Sequence, residues 1–147
     1  MTTPHNDFLG RALNPALIKG QHRPLPGYTA TFSEFMQHCW PEFTILHACI
    51  LLPETNYAYF FQLIQSKNHS LSTIEIELNK RRIIDLLPAN APINVEQVTA
   101  VGKQIQNMWQ AKLETSYPDD KFSVIFYEGK SGNDIENFEI TFFKIRW

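Results

Sequence analysis

Two histidines and both cysteines of the chain fall within twelve residues: His38, Cys39, His47 and Cys49, in HCWPEFTILHAC. Histidine and cysteine are the usual ligands of a tetrahedral zinc ion, and a cysteine with a nearby histidine is the raw material of a thiol nucleophile. The spacing argues against both. His38 and Cys39 are adjacent in a stretch of helical periodicity, so their side chains diverge by about 100°. Cys39 also continues an apolar stripe, Phe32, Phe35, Met36, Cys39 and Trp40, and a free cysteine behaves as a small hydrophobe. His47 and Cys49 would share one face of a strand. FTILHACILL is apolar on both faces, however, as a doubly covered strand is. Such a strand gives a thiol neither exposure nor a neighbour that lowers its pKa. The segment therefore reads as core, and no metal, cofactor or catalytic residue is assigned to it.

Other candidates weaken in the same way. Glu75 and Glu77 in LSTIEIEL would sit about 6.5–7 Å apart on one face of a strand, a spacing found between glycosidase carboxyls. On an amphipathic strand, though, that face is simply the solvated one. EGKSG, Glu128 to Gly132, has the ending of a phosphate-binding loop, but Val124 stands where the first glycine is required. It reads as a hairpin turn. Lys144 and Arg146 alternate with Phe142, two charges that blunt an edge strand rather than track a nucleic acid.

The strongest electrostatic feature is local. Glu114 to Glu139 holds seven acids against Lys121 and Lys130, a charge of -5, which leaves +3 on the rest of a chain whose net charge is -2. That balance argues against nucleic acid as a partner and favours a basic protein. Tyr117, Asp119, Asp120, Tyr127, Asp134 and Glu136 are the candidate contact residues. For a small-molecule pocket between sheet and helices, the candidates are His47, Tyr57, Tyr59 and Trp109.

The elements that must position these residues follow from periodicity and end signals. Residues 1–30, with four of nine prolines and three of six glycines, form an N-terminal arm that packs on the body or on a neighbour. Within it, NPALIKG reads as one helical turn. Residues 31–147 form one α+β domain. Thr31 and Glu34 make a capping box for a helix that Pro41 stops. After the 43–52 strand, YAYFFQLIQ fits both periods; its aromatic richness favours a strand over a helix. LSTIEIEL alternates as a strand, with Glu75 and Glu77 outward, and RRIIDLL is a further short one. Asn94 and Gln97 form a second capping box, opening a helix whose buried stripe is Val98, Val101, Ile105, Met108, Trp109 and Leu113. KFSVIFYE and NFEITFFKIRW close the chain as paired strands.

The expected order is arm-α-β-β-β-(β)-α-β-β: a largely antiparallel sheet of five to six strands with two main helices on one face. At 147 residues, 44% hydrophobic and 13% aromatic, such a chain buries enough core to need no disulfide. No run approaches a membrane span and the N-terminus lacks a signal-peptide pattern, so the reading is cytoplasmic. Function is then expected to be non-catalytic protein binding, one form being a bacterial inhibitor or immunity-type protein with an acidic C-terminal hairpin. The alternatives are a small-molecule binder or enzyme, and a homodimer joined through the arm.

Overall fold

The second capping box forms as read. Gln97 N–H donates to Asn94 Oδ1 and Asn94 N–H to Gln97 Oε1, each at 2.9 Å, and so two of the free amides at the helix start are satisfied. In the computed structural model, which describes residues 26–88, 91, 93–129 and 134–147, this helix is the longest. The elements are α1 (Pro26–Cys39), β1 (Thr44–Leu46), β2 (Cys49–Leu51), α2 (Tyr57–Ser66), α3 (Leu71–Leu78), β3 (Arg81–Arg82), α4 (Ile83–Leu86), α5 (Val95–Ser116), β4 (Phe122–Tyr127), a 3-10 turn (Ile135–Asn137) and β5 (Glu139–Lys144). The class is α+β with antiparallel pairing throughout. Among the described residues, no helix is long and apolar enough to cross a membrane. The arm as far as residue 25, including the turn expected at NPALIKG, lies outside the described residues. α1 begins inside the expected arm, ahead of the start read at Thr31.

α5 lies on β4 and β5, burying Val98, Ile105, Trp109 and Leu113. A Cβ on Gly102 would stand 2.3 Å from the Phe126 ring. The glycine inside the helix therefore leaves the space that the Phe126 ring of β4 fills. Trp109 meets Phe142 edge to face at 5.8 Å, and Phe43 meets Phe142 at 5.1 Å. These rings anchor the larger core, to which Cys39, Ile50, Leu52, Ile83, Leu86, Phe138 and Ile140 also belong. A second, smaller core of Cys49, Leu51, Phe60, Ile74 and Leu78 lies beneath the β1–β2 hairpin.

The single five- to six-stranded sheet is replaced by two sheets, β1-β2 and β3-β5-β4. Three segments account for the difference. The 43–52 run is not one strand but a hairpin, turned at His47 and Ala48 with φ of 49° and 66°. Two successive left-handed residues make the two-residue turn that suits strand twist, usually built from Asn-Gly. With no glycine to mark it, the turn was hidden, and His47 and Cys49 do not share a strand face. YAYFFQLIQ is helix α2, capped by Asn56, whose Oδ1 accepts from Tyr59 N–H at 3.0 Å. LSTIEIEL is helix α3, capped by Ser70, whose Oγ accepts from Thr73 N–H at 3.1 Å. RRIIDLL shrinks to the two residues of β3 and one turn of α4.

The placement of α3 explains why the sheet divides. Its buried stripe contains Glu75, which is fully buried rather than outward. Glu75 accepts from Ile50 N–H of β2 at 2.8 Å and from Lys144 N–H of β5 at 2.8 Å. One turn on, Asn79 accepts from Leu52 N–H and donates to the carbonyls of Ile50 and Phe142. The free edge of β2, and the part of β5 beyond Glu139 and Ile140, where β3 stops pairing with it, thus bond to Glu75 of α3 and to its C-cap Asn79 instead of to each other. Ser72 and Thr141 add bonds to Lys144 O and Ile76 O. Arg146 completes the seam: its guanidinium reaches both Glu75 oxygens at 2.7 and 2.9 Å and Ala48 O at 2.9 Å. A buried carboxylate with this many donors is compensated; alone it would be prohibitive. β5, expected to be an edge strand blunted by Lys144 and Arg146, is the central strand of its sheet.

Candidate functional site

The His/Cys stretch separates into two places. Cys39 lies in the larger core and Cys49 in the smaller, and both thiols are free. Burial pushes each up to about 11; at Cys49 the charge of Glu75 adds to this and that of Arg146 opposes it. At neutral pH such thiols stay protonated and unreactive. Among the described residues, no three His, Cys, Asp or Glu side chains converge to hold a metal ion.

The six acidic-region candidates fall at the two ends of β4, a six-residue strand about 17 Å long. At its start, the half-buried Tyr117 ring packs on Phe122 at 5.9 Å, and burial, then the charge of Glu42, raises its phenol above the ordinary value. Asp119 is exposed, and Asp120 pairs with Lys144 at 3.2 Å. At its end, Tyr127 is exposed, Asp134 accepts from the Asn137 amide, and Glu136 reaches Arg82 at 3.6 Å. An open depression of about 530 Å³ at that end is lined by Lys80, Tyr127, Glu128, Gly129, Asn137 and Glu139. Tyr117, Asp119 and Asp120 thus lie at the start of β4, and Tyr127 closes its other end ahead of Asp134 and Glu136, so the six do not form one cluster.

The four pocket candidates also separate. Trp109 is fully buried, and its indole N–H donates to His38 O at 2.8 Å. It lines a small cavity of about 90 Å³, well short of the several hundred expected of a drug-sized site. His47, Tyr57 and Tyr59 belong instead to the surface around α2. The His47 ring lies 5.7 Å from both Phe60 and Phe61, tilted to the first and edge-to-face with the second. Phe60 is the helix's buried anchor, whereas Tyr57, Tyr59 and Phe61 are 48%, 38% and 43% exposed. No charged residue occurs anywhere in YAYFFQLIQS. Between α2 and α3 runs an open groove of about 310 Å³, floored by Leu63, Ile74 and Ile76, with Tyr59, His69, Thr73 and Glu77 also lining it.

An uncharged helix presenting three rings to solvent was missed because the same residues fit a strand. Asn56 was the signal that favours the helix, since Asn is a preferred N-cap and its Oδ1 here accepts from Tyr59 N–H, one of the free amides of the first turn. Glu75 was missed because its partner, Arg146, is 71 residues away. Comparison with protein-family models, with curated proteins and with solved structures finds no match to this chain.

Proposed function

We propose that the chain is a non-catalytic protein-binding module that contacts its partner through the exposed rings of α2, Tyr57 and Phe61 on one side and Tyr59 at the groove on the other. The observation that carries this reading is the surface composition of α2: Tyr57 and Phe61 are exposed one turn apart on one side, Tyr59 is exposed on the other side at the groove, and none of the ten residues is charged. Binding surfaces are enriched in aromatics and depleted of charge at their centres, and buried Tyr and Phe anchors supply most of the energy. The groove adds an apolar floor and, at Glu77, an acid. A partner segment of matching chemistry is an amphipathic helix with apolar anchors and a basic residue at its margin. The Asp119–Asp120 cluster borders α3 through Lys144, which pairs with Asp120 and whose carbonyl accepts from Ser72. These acids favour the approach of a basic partner, in the manner of an inhibitor or immunity-type protein.

The test compares wild type with a Tyr57→Ser, Phe61→Ser double variant in binding to the partner that wild type retains from source lysate. Two anchor residues at about 1–2 kcal/mol each predict an affinity at least 30-fold weaker, with the folded spectrum preserved. Unchanged affinity contradicts the assignment of the surface.

A further inference from the structure

The cavity beneath α1 carries a second, independent reading. It is lined by Gln37, His38, Pro41, Leu52, Pro53, Glu54, Arg81, Leu86 and Trp109, and the decisive residue is Arg81. Three arginines are among the described residues. Arg82 grips Asp85 side-on, with Nε and Nη2 donating to the two carboxylate oxygens at 2.9 and 3.0 Å. Arg146 grips Glu75. Arg81 spends only Nη1, on the carbonyls of Leu78 and Lys80 at 2.8 and 2.9 Å. Among the described residues it has no carboxylate within ion-pair distance, and its Nε and Nη2 have no acceptor. That is the same edge with which its neighbour Arg82 holds a carboxylate. A half-buried guanidinium with a free fork is a costly arrangement unless an acceptor occupies it.

The rest of the cavity is built to be rigid. Carbonyl oxygens only accept, so His38 Nδ1–H donates to Leu86 O at 3.0 Å, and His38 O accepts from Trp109. Both faces of that residue are therefore held. Pro41 and Pro53 form stiff walls, and Leu52, Leu86 and Trp109 give an apolar floor. Burial lowers Arg81 from its ordinary value, and the charge of Glu54 partly restores it, which places Glu54 close enough to act on the same space.

We infer that this cavity binds a small carboxylate, its two oxygens on the Nε/Nη2 edge of Arg81 and a short apolar tail against Leu52, Leu86 and Trp109. The planar fork matches a carboxylate in both spacing and shape. The volume of about 90 Å³ admits a short-chain acid and excludes a nucleotide. Glu54 opposes the ligand by like charge and sets an upper bound on affinity.

The experiment follows the Trp109 indole N–H resonance in the full chain during titration with butyrate, 1-butanol and inorganic phosphate. The expected result is a saturable shift with butyrate alone. Binding should be at least tenfold weaker in Arg81→Gln and at least threefold tighter in Glu54→Gln. Arg81→Lys, which keeps the charge and loses the fork, should also bind at least fivefold more weakly. Glu54 is exposed, so its variant remains informative even if Arg81→Gln fails to fold. An equal response to butanol overturns the inference, as does preference for phosphate, or unchanged affinity in either the Arg81→Gln or the Glu54→Gln variant.

Discussion

α2 and α3 are neighbouring helices of similar length, and each inverts what its composition suggests. α3 carries two glutamates in eight residues and buries one of them completely. α2 carries no charge and leaves three aromatic rings in water. In α3 the polar atoms are structural: Glu75 and Asn79 satisfy strand edges that no other strand covers. In α2, Phe60, Leu63 and Ile64 pack into the smaller core, and Tyr57, Tyr59 and Phe61 stand outside it. Among the described residues, polarity in the interior thus has a full set of partners, while the exposed rings of α2 lack one. The contrast gives one helix a structural role and is the ground on which recognition is proposed for the other.

The sharpest way to break that contrast is to remove the carboxylate. Glu75→Ala leaves the Arg146 guanidinium and the amides of Ile50 and Lys144 unpaired, and it should cost about 3–5 kcal/mol. Urea unfolding measures this directly, and a loss below 1 kcal/mol would deny the seam its role. Alkaline pH probes the two cores flanking it. Both thiols ordinarily ionise near 9.0 and are held to about 11 in the folded chain. The unfolded chain therefore releases these protons first. Stability is intact below about pH 9 and falls between 9 and 11, by at most about 2–3 kcal/mol per thiol. A denaturation midpoint that stays flat over this range in wild type, or an equal slope in a Cys39→Ala, Cys49→Ala variant, contradicts the cause.

Asn79→Ala removes the acceptor for Leu52 N–H and the donor to two carbonyls, for an expected loss of about 1–3 kcal/mol. That should be smaller than at Glu75 because no charge is stranded. The smallest effect has the opposite sign. Ala48, at φ 66°, is in the left-handed region, and Ala48→Gly should stabilise the chain by about 0.5–1 kcal/mol. Calorimetric melting would register this as a rise in Tm.

What the sequence made legible were features that a few adjacent residues decide. Asn94 and Gln97 announced α5, alternation announced β4 and β5, and the α+β class followed. What it concealed depends on partners distant along the chain. Alternation in LSTIEIEL counts Glu75 as outward, since nothing local supplies the guanidinium that lets it be buried. Arg146, read as an exposed charge on an edge, is the residue that compensates Glu75 on the inward side of α3. The hairpin at His47 and Ala48 was masked by residues that rarely adopt positive φ. α2 was ambiguous for a different reason, because its exposed rings blur the amphipathic pattern that identifies a helix. An apolar surface, of the kind proposed here to meet a partner, looks in sequence like a piece of core.

The most direct measurement of that claim is site-specific photo-crosslinking in source cells, with the probe at Phe61 on α2 and, as a control, at the exposed Gln104 on α5. The account predicts one heterologous protein captured from position 61 and none from position 104. Equal capture from both positions, or a product with twice the mass of this chain, would contradict it.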